Sequence, residues 1–122
     1  INLKKEFARF SKRLDKFMQL SDVVVVAPGG IGTMLELFYT WQLMQVEHIR
    51  SIPVILLGNM WADLIDWLRK QPLKRKYFDK KDLDYLFSAK NSREAMEIIN
   101  KAYDSYKKND GDFCVNYKKY KL

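Results

Sequence analysis

The sequence is poor in the residues that staple small folds or bind metals: it has one cysteine, Cys114, and one histidine, His48. A lone thiol excludes an intramolecular disulfide, and no cluster of Cys and His offers a metal cage. The expectation is therefore a cytoplasmic protein with no metal and no other cofactor. A single histidine near a helix end reads as a surface or interface residue, and His48 is assigned no chemistry. Long apolar runs are missing too. Val23 to Pro28 and Ile52 to Leu57 fall far short of the roughly 20 residues that cross a bilayer, which excludes a membrane-spanning helix. The N-terminus lacks the charged, apolar and small-residue order of a secretory signal, and opening on Ile1 it reads as the interior of a longer protein. Acidic residues are outnumbered, 15 against 22 Lys and Arg, for a formal charge of +7. The excess lies at Lys4 to Lys16, Lys70 to Lys81 and Lys101 to Lys121; it favours anionic partners without choosing among them.

What is present suits one modest soluble domain: 122 residues, 48% apolar and 30% charged. Leu3, Phe7, Phe10, Leu14, Phe17 and Met18 recur at helical spacing among lysines and arginines, predicting an amphipathic helix over roughly 3 to 20. Val23 to Ala27 follows as a β-branched run without alternation, as in a parallel strand covered on both faces. After Pro28-Gly29-Gly30, the residues Met34, Leu37, Phe38, Trp41, Leu43, Met44 and Gln45 predict a strongly buried helix. Val54 to Leu57 is a second strand. Trp61, Leu64, Ile65 and Leu68 mark a helix closed by Gln71-Pro72. Lys74 to Lys81 reads as an exposed loop, Asp82 to Asp84 as a short helical turn and Tyr85 to Ser88 as a third strand. Asn91 to Glu94 has the pattern of a capped helix start, with Ala95, Ile98, Ile99, Ala102 and Tyr106 as the buried face. The alternation of helix and strand predicts an α/β fold, a Rossmann-like parallel sheet flanked by helices. Residues 1–108 form this domain, and 109–122 are a basic, tyrosine-rich tail or strapped-down arm. Three strands make a thin sheet, and its N-terminal strands are expected to be missing.

Glycine is scarce, yet three of the five glycines lie together at Gly29, Gly30 and Gly32. A glycine turn between a strand and a helix places free backbone amides at the positive end of the helix dipole, a site suited to phosphate. Glycine keeps side chains off the anion and supplies positive φ where a turn needs it. Pro28-Gly29-Gly30-Ile31-Gly32-Thr33 has that context, but it is neither the dinucleotide fingerprint nor a P-loop; the bland alternative is an ordinary turn. Glu36 admits two readings. Thr33-Met34-Leu35-Glu36 fits a capping box, while a carboxylate near a helix N-terminus stays ionised and could act as an anionic stabiliser or base. Arg13, at the edge of the apolar stripe, is either solvated or turned toward a site.

The phrase Pro28-Gly29-Gly30-Ile31-Gly32-Thr33-Met34-Leu35-Glu36 resembles the P-G-G-x-G-T-x-x-E signature of the Lonely Guy family, cytokinin riboside 5′-monophosphate phosphoribohydrolases, many of whose bacterial relatives carry the label "possible lysine decarboxylase". The resemblance runs from about Phe10 to Tyr103. It implies a Rossmann-like homodimer that cleaves a nucleoside 5′-monophosphate into free base and ribose 5-phosphate. It further implies that Gly29, Gly30, Ile31, Gly32 and Thr33 hold the phosphate, and that Glu36 and Arg13 are the catalytic pair. The chain departs from the family where the usual Arg-Lys pair is Arg13-Leu14 and where a second acidic residue of some members is Leu37. The family's first strands, with their own glycine-rich turn, have no counterpart here.

The leading expectation is thus an enzyme acting on a nucleoside monophosphate, such as AMP. The alternative is a non-catalytic nucleotide- or cofactor-binding protein of the same superfamily. Nothing in the residues suggests the pyridoxal phosphate site that lysine decarboxylation would need. The tail stretch Asn116 to Tyr120 reads as a solvated end rather than a nucleic-acid surface. A homodimer is expected through the helix around Phe38, Trp41, Met44 and Gln45, which is apolar on too many sides for one thin sheet to cover.

Overall fold

A computed structural model describes residues 3–47 and 50–122. His48, and the side chains of Leu3, Phe7 and Phe10 on the first helix, lie outside the described residues. In chain order the α-helices and strands are α1 (Leu3–Leu20), β1 (Val24–Val26), α2 (Ile31–Gln45), β2 (Val54–Leu57), α3 (Trp61–Leu68), β3 (Leu86–Ala89), α4 (Ser92–Lys108) and the single-turn α5 (Phe113–Asn116), with a 3-10 helix, Lys80–Tyr85, before β3 where a shorter helical turn was expected. The three strands form a parallel sheet in the order β1-β2-β3, with Val24 opposite Val54 and Val54 opposite Leu86. The protein is α/β, three parallel strands flanked by helices.

Strand alternation divides the core into two layers. Val26, Val54, Leu56 and Leu86 point to one face, where Met18 of α1, Leu37, Trp41 and Met44 of α2 and Trp61, Ile65 and Leu68 of α3 cover them. Ile55, Phe87 and Ala89 point to the other face, against Ala95 and Ile98 of α4 and Cys114 of α5. Because α4 lies over β2 and β3, this second face is bare above β1, and Val25 is 43% exposed. The expectation of a first strand covered on both faces is therefore corrected: β1 is parallel, but among the described residues it pairs on one side only and is covered on one face.

Three further expectations change. First, α2 is not buried all round: Leu37, Thr40, Trp41 and Met44 face the core, whereas Ile31, Met34, Leu35 and Phe38 form an exposed apolar stripe. Second, the stop at Gln71-Pro72 is absorbed into a π-helical turn, Arg69–Leu73, that contains Pro72. The wide turn suits a residue with no N–H to donate, and the Tyr77 amide closes it on the Pro72 carbonyl at 2.9 Å. Third, Tyr106 points outward on α4 at 77% exposure, so the buried face of that helix ends earlier than its apolar pattern. The start of α4 is as expected: the Asn91 side chain accepts from the Glu94 amide at 3.0 Å, and the Glu94 carboxylate accepts from the Lys90 amide at 2.8 Å.

Residues 109–122 fold back as a strap. Lys121 bridges antiparallel to Phe87 on the outer edge of β3, and the Ser88 amide donates to the Tyr120 carbonyl at 2.8 Å. Phe113 and Tyr117 stack at 4.8 Å and lean on Phe87. The Lys121 amine sits over the Phe87 ring and donates to the carbonyls of Asp84 and Cys114. Lys119 and Tyr120 both donate to the Glu97 carboxylate, and these two bonds hold it below the usual carboxylate range. One edge of the sheet is sealed in this way, and the β1 edge is open.

Candidate functional site

The glycine turn stands at the carboxyl end of β1, the end at which open α/β sheets hold ligands. Helix α2 begins at Ile31 with Gly30 as its cap and with no side-chain hydrogen bond at that cap. Its first backbone bond runs from the Met34 amide to the Gly30 carbonyl at 3.0 Å. The amides of Ile31, Gly32 and Thr33 therefore lack intrahelical acceptors and carry the positive end of the helix dipole. The capping box expected of Thr33 and Glu36 is not formed, because the helix starts two residues before Thr33 and Glu36 lies in its second turn. That leaves the carboxylate of Glu36 without a structural duty at the cap.

The three glycines do different work. Only Gly58 and Gly111 among the described glycines have positive φ, so backbone conformation does not explain the turn's glycines as expected. At Gly29 an added Cβ would collide with the Thr33 side chain, coming within 2.9 Å of its Cβ. At Gly30 and Gly32 a Cβ would meet nothing within 4 Å. The fold has room for side chains there, and their lack keeps the amides open to something outside the chain. Ile31 between them is 87% exposed. Gly58, at the end of β2, packs its backbone against the Pro28 ring, where a Cβ would come within 3.2 Å.

Ala27 and Thr33, which bracket the turn, line a cavity of about 740 Å³ along the open edge of β1. Its walls are the strand itself, Arg13, Leu14, Lys16 and Phe17 of α1, and Glu36, Leu37 and Thr40 of α2. The structure thus brings Arg13, Thr33 and Glu36, far apart in sequence, to one cavity. No ion pair joins Arg13 to Glu36 among the described residues, so both remain available to a ligand between the helices. Sequence reasoning missed Lys16 as a site residue. Its signal was the spacing of three from Arg13, which puts both cations on one side of α1. Two cations against one carboxylate give the cavity a positive balance of charge, which suits an anion. Gly29 plays its part indirectly, by giving Thr33 its place.

Substitution of Gly32 separates a ligand site from an ordinary turn. Gly32→Ala, inside the first turn of α2 with free space around it, is expected to stabilise the fold by roughly 0.5 to 1 kcal/mol. The same methyl is expected to weaken AMP binding tenfold or more. A thermal melt and an AMP titration of one variant read both, and unchanged affinity would reduce the turn to a structural element.

No curated protein matches the sequence. Over residues 2–99 it matches the family described as "Possible lysine decarboxylase", a span that contains the glycine turn, Arg13 and Glu36, and on that match the chain belongs to this family.

Proposed function

We propose that this protein hydrolyses the N-glycosidic bond of a nucleoside 5′-monophosphate, of the AMP or cytokinin riboside type, to free base and ribose 5-phosphate. The observation that carries the reading is that Thr33, the last residue of the open-amide turn, lines one cavity together with Arg13, Lys16 and Glu36, while Gly30, Ile31 and Gly32 stand outside that lining at the adjoining start of α2. The 5′-phosphate would take the amides of the turn, with Arg13 and Lys16 balancing its charge. As the C1′–N bond breaks, positive charge builds on the ribose, and the ionised Glu36 carboxylate would stabilise it. Water adds its oxygen to C1′; the departing base nitrogen gains a proton. The direct test is release of adenine from AMP by the intact protein. Binding without release would favour a nucleotide-binding protein of the same fold.

The family resemblance also implies a homodimer, whose contact we place on the exposed side of α2. Trp41 and Met44 are in the protein's own core, so neither is free to meet a second copy. Ile31, Met34, Leu35 and Phe38 supply the apolar stripe instead, continued by the exposed Gln42 and Gln45. Phe38→Glu in the intact protein is expected to shift a dimer to monomer in light scattering, while Gln42→Glu, at the polar rim, shifts it less. A wild-type monomer at high concentration would refute the assignment.

A further inference from the structure

Arg13 and Glu36 belong to different helices, and any chemistry they share depends on how α1 is held against α2. Leu14 and Met18 anchor α1 by burial, a force that is non-directional and permits sliding and rolling. At its C-terminal end the connection is Arg50, which donates to the Ser21 carbonyl at 2.8 Å and the Asp22 carboxylate at 2.6 Å. Closer to the cavity, Thr40 donates to the Met18 sulfur at 3.3 Å, a soft contact. The well-directed link is different: the Tyr39 hydroxyl donates to Asp15 Oδ1 at 2.7 Å in a half-buried position.

The spacing of that link matters. Asp15 is two residues beyond Arg13 on α1, and Tyr39 is three beyond Glu36 on α2, so the bond stands within about one turn of each member of the pair. We propose that the Tyr39–Asp15 hydrogen bond sets Arg13 against Glu36 across the cavity, which makes Tyr39 a positioning residue for the hydrolysis. This rests on the reading of the site given above. Tyr39 is not among the residues lining the cavity, so it acts through the helices and not by touching substrate. The phenol is held in its neutral, donating form: the hydrogen bond to Asp15, with some desolvation, raises its pKa above the ordinary value.

The test uses the intact protein and three substitutions. Tyr39→Phe removes only the hydroxyl, Asp15→Ala removes the acceptor, and Asp15→Asn keeps a carbonyl oxygen in its place. Misplacement of a catalytic group by about 1 Å can cost up to a hundredfold. Turnover of AMP is therefore expected to fall about tenfold in Tyr39→Phe and Asp15→Ala alike and to stay within about twofold of wild type in Asp15→Asn, with melting temperatures little changed. Because the bond acts through Arg13, adding Tyr39→Phe to Arg13→Ala is expected to cause no further loss. Wild-type turnover in Tyr39→Phe, or losses that multiply in the double variant, would overturn the proposal. If the wild-type protein releases no adenine, the reading of the reaction fails instead. Amide exchange along Lys12 to Leu20 then decides the clamp on its own: faster exchange in Tyr39→Phe supports it, and unchanged exchange removes it.

Discussion

Glu36→Gln is expected to leave the fold and the affinity for AMP nearly intact while turnover falls by about a hundredfold or more, the scale of losing one electrostatic partner of a transition state. The structure sharpens this expectation. A glutamate that completed a capping box would be replaced by glutamine at little cost and without any effect on chemistry. That duty is absent, since Gly30 caps α2 and no side chain bonds there. Glu36 is exposed on the cavity side of α2, so the change touches no core contact and should stay within about 0.5 kcal/mol of wild-type stability. What it removes, on the proposed reaction, is a negative charge beside the place where the ribose would become positive. Thermal melts, AMP titration and adenine release on the one variant distinguish the outcomes. Unchanged turnover would take Glu36 out of the mechanism and leave nucleotide binding as the function.

Removal of residues 117–122 is expected to produce the largest loss of stability, about 3 kcal/mol or more, a substantial share of what a small domain has. The truncation takes away Tyr117 from the ring stack on Phe87 and Phe113. It also removes the backbone pairing along β3 and the Lys121 amine that satisfies the carbonyls of Asp84 and Cys114. A second readout comes from Cys114. Its thiol is buried and, chiefly through that burial, is pushed up to about 11, so little thiolate exists at neutral pH and access is closed. Thiol reagents are expected to leave the wild-type protein unmodified and to label the truncated one quickly. Tyr117→Phe is the control. Its hydroxyl is buried with no hydrogen-bond partner among the described residues, so its loss should be neutral or slightly stabilising. An unchanged urea midpoint on truncation would show that the strap contributes nothing to the fold.

Much of the architecture was legible because helix and strand each impose a period. The apolar stripe of α1, the β-branched run before Pro28 and the Asn91 to Glu94 cap are local patterns, and a local pattern needs only its own neighbours to be read. The glycine turn was legible for the same reason; Arg13 and Glu36 were expected as a pair from the family resemblance, and the structure puts both on one cavity. Lys16 was missed because its spacing of three from Arg13 is a weak signal on a helix where other cations, such as Arg9, also share helical spacing with Arg13.

Sequence by itself determined the order of elements, the parallel sheet and the family. Tertiary structure decided which glycines are required by the fold and which stand open, because that depends on the distance from an absent Cβ to atoms brought near by folding. It also freed Glu36 from the cap, by starting α2 at Ile31. It turned Trp41 and Met44 inward and Phe38 outward on a helix whose apolar residues lie on several sides, since the sheet covers only one of them. The C-terminal strap was decided in the same way: basic tyrosine-rich residues read equally as a tail or a strapped-down arm until Phe87 and the β3 edge, about thirty residues earlier, offer rings to stack on and carbonyls to bind.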